Sequence, residues 1–170
     1  MRRPGLFAAI AISAAALAGV EVFEPQARLI WNRTPSAPIG LYWRMDRQPS
    51  LNGWALLSSD SSAAAWIADH GFLASGWPII KRVRAIAGDE ICRTGDAVLI
   101  NGAAVAHAVR RSGRRPELPS WSGCRKLGAQ EFLLLNEHER SLDGRYFGVT
   151  SAAEIDGSLL LLWAAPSWLK

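Results

Sequence analysis

Two side chains in this sequence have surroundings suited to nucleophilic catalysis, the hydroxyl of Ser36 and the amine of Lys81. Ser36 lies between Pro35 and Pro38, and proline restricts its own backbone and that of the residue before it. The Ser36 hydroxyl is therefore expected to be held in place. Lys81 lies within residues 77–89, where β-branched residues predict a strand.

The predicted strand gives Lys81 an apolar environment. Side chains alternate between the two faces of a strand, so Lys81 shares a face with Ile79 and Val83. Arg82 and Arg84 point the other way. An ammonium group on an apolar face loses solvation, which lowers the pKa of a lysine from ~10.4 toward neutrality and makes it a general base. The alternative is a lysine that extends its charge along an apolar surface to water.

A third polar group occurs later in the chain, in residues 141–148. If this segment is extended, Ser141, Asp143 and Arg145 lie on one face. Asp143 could then pair with Arg145, while Ser141 offers a hydroxyl nearby. Taken alone, the segment is better explained as a surface turn with an incidental ion pair. It gains functional meaning only in combination with Ser36 and Lys81.

The N-terminus has the pattern of a membrane-targeting segment. Two arginines precede the uncharged, apolar residues 4–20. A run of ~17 to 20 residues is just long enough to cross a bilayer, and the leading arginines keep the N-terminus cytoplasmic. We therefore expect a membrane anchor over residues 1–23 and one extracytoplasmic domain over residues 24–170. The alternative is a cleaved signal peptide with residues 16–18 as the cleavage site.

The chain of 170 residues has a formal net charge of +4 that comes mostly from arginine. Such a balance suits an anionic membrane surface as well as nucleic acid. The one charge cluster, residues 110–116, contains glycine and proline and is predicted to be a loop that is either solvated or in contact with lipid headgroups. It lacks interleaved aromatic residues, so we expect membrane lipid and not nucleic acid as a partner.

Cysteine and histidine usage points to a disulfide and away from a metal. Cys92 and Cys124 follow the predicted anchor, on the oxidising side, where a disulfide is expected. Two unpaired buried thiols are the alternative. The histidines are scattered without metal-ligand spacing, so we predict structural or surface roles for them and neither metal nor cofactor; they are His70, His107 and His138.

The domain is predicted to be mostly β, with one short helix over residues 61–70 that ends before Gly71. Asn101 and Gly102 form a two-residue hairpin signal within a β-meander. The predicted strands of the meander are residues 90–93, 97–100 and 103–109. Two further strands, residues 131–135 and 158–163, carry leucine runs expected to fill the core.

Three segments of the chain resemble, in the same order, the three motif boxes of the type I signal peptidases. The continuation after Ser36 and the segment around Trp121 are more similar to the conjugative-transfer (TraF-type) branch of that family. The resemblance covers about residues 29 to 163 of the chain. The three motif segments are residues 34–42, residues 81–83 with 87–89, and residues 141–148.

The resemblance implies a signal-peptidase-like catalytic domain, a β-barrel or meander, with a serine and lysine dyad. Ser36 would be the nucleophile and Lys81 its general base. The Thr34 hydroxyl and the Ser36 backbone N–H would donate to the oxyanion. Ser141 would orient the Lys81 ammonium.

The rest of the third box implies supporting roles. Asp143 and Arg145 would brace the corner of the site that holds Lys81. The chain departs from the family pattern at Gly144, where the family usually has a serine between the aspartate and the arginine.

The implied protein is a single-pass enzyme of the bacterial inner membrane that cleaves signal or leader segments of exported precursor proteins in the periplasm. Only about 15 residues separate Glu21 from Ser36, a tether of at most ~50 Å. The conjugative branch suggests a pilin precursor, with an acyl-enzyme resolved by water or by an amine of the same substrate to give a cyclic product. The alternatives are a general leader peptidase and a non-catalytic component of a secretion or pilus apparatus.

Overall fold

The computed structural model describes residues 27–109 and 117–166, and within them the chain is mostly β, as predicted. The first strands and helix are β1 (Leu29–Asn32), β2 (Gly40–Met45), β3 (Trp54–Leu57), α1 (Ser62–Asp69) and β4 (Ile79–Ala85). The middle strands are β5 (Glu90–Thr94), β6 (Ala97–Ile100), β7 (Ala103–His107), β8 (Gly123–Lys126) and β9 (Glu131–Leu134). The last elements are α2 (Gly144–Phe147), β10 (Val149–Ser151), a 3₁₀ helix (Ala152–Glu154) and β11 (Ile155–Ala164).

The strands form two antiparallel sheets. The larger has seven strands in the order β1-β2-β11-β3-β4-β9-β10, and the smaller has four in the order β7-β6-β5-β8. The smaller sheet contains the predicted meander, and both turn residues of its hairpin have positive φ, 50° at Asn101 and 81° at Gly102, as a type I′ turn requires. Within the described residues the larger sheet has β1 and β10 as its two edge strands.

Strand β4 is packed on both faces, so the residues that flank Lys81 contact apolar clusters on opposite sides of the sheet. Ile79 and Val83 belong to an apolar cluster that includes Ile67 of α1. Ile80 points into a second cluster, which contains Ala37 from the loop after β1. The predicted alternation is therefore present, with an apolar layer on each side of the strand.

Helix α1 agrees with its prediction. Ser61 is the N-cap, and its Oγ accepts a hydrogen bond from the backbone N–H of Ala64 at 3.2 Å. His70 is the C-cap, and Gly71 follows with φ 68°. The expectation of a single helix was wrong, because the described residues contain α2 and the 3₁₀ helix as well.

The leucine run of β11 fills the core only in part. Leu159 is buried, whereas Leu160 is exposed, because successive side chains of a strand point to opposite faces. A β-bulge between Leu161 and Trp163 shifts the register, so that Trp163 is exposed as well. Together with exposed residues of β1 and β2 they form what we call the apolar face, in which the rings of Trp31 and Trp163 stack with centroids 5.8 Å apart. The apolar face consists of Leu29, Trp31, Trp43, Leu160 and Trp163.

None of the helices in the described part of the chain is long and apolar enough to cross a membrane. The predicted anchor, residues 1–23, and the predicted basic loop, residues 110–116, lie outside the described residues.

Candidate active site

Lys81 lies in the middle of β4 and is only 6% exposed. Its Nζ donates a hydrogen bond to Ser141 Oγ at 3.0 Å, a contact between residues 60 positions apart in the chain. The neighbouring strand β3 pairs with β4 so that Ala55 lies opposite Lys81. The lysine is thus a buried amine with a hydroxyl as its hydrogen-bond partner.

The environment of Lys81 favours the neutral amine. Burial lowers the pKa of Lys81 from 10.5 to about 8, and this is the largest effect. The carboxylate of Asp143 acts in the opposite direction and the guanidinium of Arg145 acts in the same direction as burial. A lysine with a pKa near 8 has a substantial neutral fraction in mildly alkaline water and can accept a proton.

Asn136, which the sequence did not single out, holds the backbone on both sides of Lys81. Its Nδ2 donates to the carbonyl of Ile80 at 3.0 Å, and its Oδ1 accepts from the N–H of Arg82 at 2.9 Å. Asn136 is 3% exposed. The available signal was a polar residue directly after the predicted strand 131–135, because a buried amide must find partners for its polar atoms.

Asp143 and Arg145 form a buried ion pair, with Arg145 Nε 2.8 Å from Asp143 Oδ1. The pairing of Asp143 with Arg145 that the sequence allowed is present, but the segment is not extended through Arg145, because Asp143 is the N-cap of α2 and Arg145 lies in that helix. An aspartate side chain caps a helix well, since it accepts from the free N–H groups of the first turn. The Asp143 Oδ2 also accepts from the N–H of Asn136 at 2.9 Å, which joins the pair to the Lys81 strand.

Gly144 is explained by lack of space. A Cβ at this position would lie 2.7 Å from Leu133 Cδ1 and 2.8 Å from the carbonyl oxygen of Leu134. The second contact is with backbone, which cannot move aside without disturbing β9. Helix α2 therefore begins closer to β9 than a serine at residue 144 would allow.

A second buried asparagine that the sequence did not single out, Asn32, holds the loop that carries Ser36. Its Nδ2 lies within hydrogen-bond distance of the carbonyls of Thr34, Ala37 and Pro38, at 2.9, 3.1 and 3.0 Å. Its Oδ1 accepts from the N–H of Thr34 at 3.0 Å. The Ser36 loop is therefore ordered by a side chain as well as by its prolines.

The hydroxyls of Thr34 and Ser36 lie near each other, with their oxygens 3.5 Å apart. The Thr34 hydroxyl donates to Asn32 Oδ1 at 2.9 Å. A hydroxyl has one hydrogen to donate, so Thr34 is oriented toward Asn32 in this structure.

Ser36 lines a cavity of about 260 Å³ beside the sheet. Arg82, the residue after Lys81, also lines this cavity, as do Glu137 and His138 from the loop that leads to Ser141. In the described part of the chain the hydrogen bonds join Lys81 to Ser141 and leave Ser36 beside Thr34, with no bond between Ser36 and Lys81.

Cys92 on β5 and Cys124 on β8 form a disulfide between directly paired positions of the smaller sheet. The three histidines lie apart from one another: His70 caps α1, His107 ends β7 and His138 lies at the cavity.

Comparison with known proteins gives a match over almost the whole chain. The model of the family described as signal peptidase, peptidase S26, matches residues 1–164. Two proteins of Escherichia coli, both named plasmid transfer protein TraF, are similar. One is 30% identical over 159 residues, which is 84% of this chain and 81% of the relative; the other is 29% identical over 136 residues, 73% of this chain and 76% of the relative.

Among solved structures, a signal peptidase I from Enterococcus faecalis V583 is 17% identical, with a TM-score of 0.39, and the match covers 68% of this chain and 100% of that one. The resemblance suggested by the three motif segments is confirmed by the family match and by the two relatives.

Proposed function

The chain belongs to the peptidase S26 family of signal peptidases, and from this premise we propose that it is a serine endopeptidase with Ser36 as nucleophile and Lys81 as general base. The observation that carries this proposal is the buried amine of Lys81, which is held by Ser141 and has its pKa lowered to about 8. A lysine in such a setting is suited to accepting a proton from a serine.

The proposed reaction begins when neutral Lys81 accepts the hydroxyl proton of Ser36 and Ser36 Oγ attacks the carbonyl carbon of the scissile peptide bond. The negative charge that develops on the carbonyl oxygen is stabilised by the backbone N–H of Ser36 and the hydroxyl of Thr34. The Lys81 ammonium then gives its proton to the leaving amine as the peptide bond breaks. The product of this first half is an ester between Ser36 and the substrate's carbonyl carbon.

In the second half a water molecule or an amine attacks the Ser36 ester, and Lys81 again accepts the proton. Lys81 returns that proton to Ser36 Oγ as the ester bond breaks, so the enzyme is regenerated. Ser141 keeps the Lys81 amine in place through both halves, while Asp143 and Arg145 brace the segment that carries Ser141.

Two adjustments on substrate binding are part of the proposal. Catalytic hydrogen bonds are often long in unliganded sites and shorten in the substrate complex, so we expect Ser36 Oγ and Lys81 Nζ to approach when substrate fills the cavity. The Thr34 hydroxyl must turn from Asn32 Oδ1 toward the oxyanion. Asn32 retains its bond from the Thr34 backbone N–H at 3.0 Å, so this rotation leaves the loop held.

We propose that residues 1–23 anchor the enzyme in the bacterial inner membrane and that residues 24–170 form its periplasmic domain. The apolar face supports a position of the domain at the membrane, since it exposes three tryptophans, at residues 31, 43 and 163. One of them lies on β1, the first strand after the proposed anchor. Tryptophan is enriched where an apolar phase meets water. The tether of about 15 residues between Glu21 and Ser36 keeps Ser36 near the bilayer, where signal segments emerge.

The proposed substrates are exported precursor proteins, and among them a pilin precursor. Support comes from the two relatives, which are named plasmid transfer proteins. The acyl-enzyme of such a substrate is resolved either by water or by the substrate's own amine, which gives a linear or a cyclic product. The mass of the product separates the two, because the cyclic product is lighter by one water.

The test uses the full chain reconstituted into vesicles of bacterial lipid with a radiolabelled pilin precursor. Ser36→Ala and Lys81→Ala should each abolish cleavage, since nucleophile and base act as a unit. Lys81→Arg should fail equally, because a guanidinium does not release its proton at accessible pH. The matched controls Ser59→Ala and Lys126→Ala, at exposed positions, should cleave as wild type does.

Full cleavage by Ser36→Ala would refute the dyad. A general leader peptidase would process unrelated precursors as fast as the pilin precursor. A non-catalytic component would process neither.

A further inference from the structure

Helix α2, which Asp143 caps and which contains Arg145, is held by two side chains from outside the helix. Carbonyl groups at the end of a helix lack partners within the helix and need other donors. Arg93 Nη1 donates to the carbonyl of Arg145 at 2.7 Å. Trp121 Nε1 donates at 2.9 Å to the carbonyl of Gly144, which also accepts from the backbone N–H of Gly148. We call Arg93 and Trp121 the α2 clamp.

The two donors of the α2 clamp are part of the packing, Arg93 as a buried residue and Trp121 as a partly buried one. Arg93 lies on β5 and is 6% exposed, although it carries a full positive charge. Its Nε also donates to the carbonyl of Gly95 at 3.1 Å, which fixes the plane of the guanidinium. Burying a charge is costly unless it is well hydrogen-bonded. The hydrogen bond to the Arg145 carbonyl therefore holds the Arg93 guanidinium and α2 in a fixed position relative to each other.

Trp121 contributes packing as well as a hydrogen bond. Its ring packs against the buried cluster of Leu133 and Leu135, and a Cβ at Gly148 would lie 3.4 Å from the ring. The segment after α2 therefore runs directly against this ring. Substitution of Trp121 by phenylalanine would keep an aromatic ring there and remove the N–H donor together with part of the ring volume.

The disulfide joins the two parts of the α2 clamp. Cys92 immediately precedes Arg93 on β5, and Cys124 follows Trp121 by three residues at the start of β8. Strands β5 and β8 are paired, with Arg93 opposite Gly123. The disulfide thus links β5, which carries Arg93, to β8, which begins two residues after Trp121.

We propose that Arg93 and Trp121, tied together by the Cys92–Cys124 disulfide, are positioning residues that fix α2 and thereby keep Asp143 and Arg145 in place beside Lys81. The importance of this positioning for catalysis rests on the proposed function, whereas its effect on the titration of Lys81 does not. Neither residue of the α2 clamp takes part in the reaction itself.

The proposal predicts a direction for the titration of Lys81. The charged groups that face its amine from the described residues are Asp143, which raises its pKa, and Arg145, which lowers it. Burial is the larger effect and lowers the pKa. If α2 is released, water reaches Lys81 and relieves this burial, so the titration of Lys81 moves to higher pH.

The test measures the titration of Lys81 by NMR in the full chain, solubilised in detergent micelles and labelled with ¹³C-lysine. The chain has three lysines, at positions 81, 126 and 170, and the signal missing from Lys81→Met identifies Lys81. In Trp121→Phe and in Arg93→Met the Lys81 midpoint should rise by about one pH unit, equivalent to a tenfold change in its proton affinity. Arg93→Lys, which retains one donor, should shift it less.

The control is Arg125→Gln on β8 of the smaller sheet, which removes an exposed ion pair with Glu131 and should leave the Lys81 midpoint unchanged. The double substitution Cys92→Ala with Cys124→Ala should shift the midpoint in the same direction as the α2 clamp variants. Should Arg93→Met fail to fold, Trp121→Phe decides the outcome. An unchanged Lys81 midpoint in folded Trp121→Phe would overturn the proposal.

Cleavage assays keep this proposal separate from the proposed function. Below the Lys81 midpoint, the α2 clamp variants should cleave up to ~10-fold more slowly at a given pH, with the rate recovering as the pH is raised. If Ser36→Ala still cleaves while the α2 clamp variants shift the Lys81 midpoint, the dyad is refuted and the positioning role stands.

Discussion

Replacing Lys81 by methionine should change the pH dependence of stability in a way that the structure specifies. The two side chains are of similar length, but methionine carries no charge. In the folded protein burial lowers the pKa of Lys81 from 10.5 to about 8, which corresponds to about 3 kcal/mol at ~1.36 kcal/mol per pH unit. Lys81 is 6% exposed, so solvent screening reduces this figure little.

The sign of the effect follows from proton linkage. Between pH 8 and 10.5 the unfolded state binds more protons at Lys81 than the folded state does, so the free energy of unfolding rises with pH in that window. Below pH 8 the cost of the buried ammonium is present in full. Wild type should therefore gain about 3 kcal/mol relative to Lys81→Met as the pH passes through the window, because the variant lacks this titration.

The assay is denaturant unfolding in non-ionic detergent, followed by the fluorescence of the eight tryptophans. The difference between wild type and Lys81→Met at each pH cancels the titration of the other groups, and the lost hydrogen bond to Ser141 adds only a constant. Lys126→Met, on the exposed strand β8, is the matched control. A difference between wild type and Lys81→Met that stays flat from pH 8 to 10.5 would refute the assignment of a buried, easily neutralised amine.

Three further outcomes are expected from the same geometry. The rate of precursor cleavage should rise with pH through about 8 as Lys81 loses its proton, and a pH profile that is flat above pH 6.5 would contradict this. Gly144→Ser should lower the free energy of unfolding by ~1 to 3 kcal/mol, measured by chemical denaturation, because its Cβ meets the Leu134 carbonyl at 2.8 Å; Gly128→Ser, where the nearest atom is a side-chain oxygen at 3.4 Å, is the control. Asn136→Ala should destabilise the fold by ~1 to 3 kcal/mol and slow cleavage, because the Arg82 N–H and the Ile80 carbonyl lose their partner; equal stability of the variant and wild type would show that these groups find other partners.

Local sequence patterns were sufficient for the elements whose cause is local. Alternation of apolar residues placed Lys81 on a buried face of β4, because the side-chain period of a strand is fixed by its backbone. The Asn101 and Gly102 pair fixed the hairpin of the smaller sheet, since few residues adopt the positive φ that its turn needs. Asp60 and Ser61 were both candidate caps for the predicted helix, and Ser61 marks the start of α1, because its side chain satisfies a free N–H group within the same turn.

Local patterns were not sufficient for residues 141–145. Their alternation of polar residues was compatible with a strand, yet Asp143 caps α2 and Arg145 lies within it. The helix is stabilised by groups distant in sequence, among them Arg93, 52 residues before Arg145. A four-residue helix has too few internal hydrogen bonds to form on its own, so its sequence carries almost no signal.

The sequence by itself determined the family to which the chain belongs, the strand that buries Lys81 and the residues that we propose as reactive groups. Only the tertiary structure decided what touches those groups: Ser141 on the Lys81 amine, Asn136 on the backbone beside it and Asn32 beneath the Ser36 loop. The physical reason is that secondary structure follows from the conformational limits of neighbouring residues. The partner of a buried polar atom, in contrast, is selected by chain packing, which brings together residues tens of positions apart.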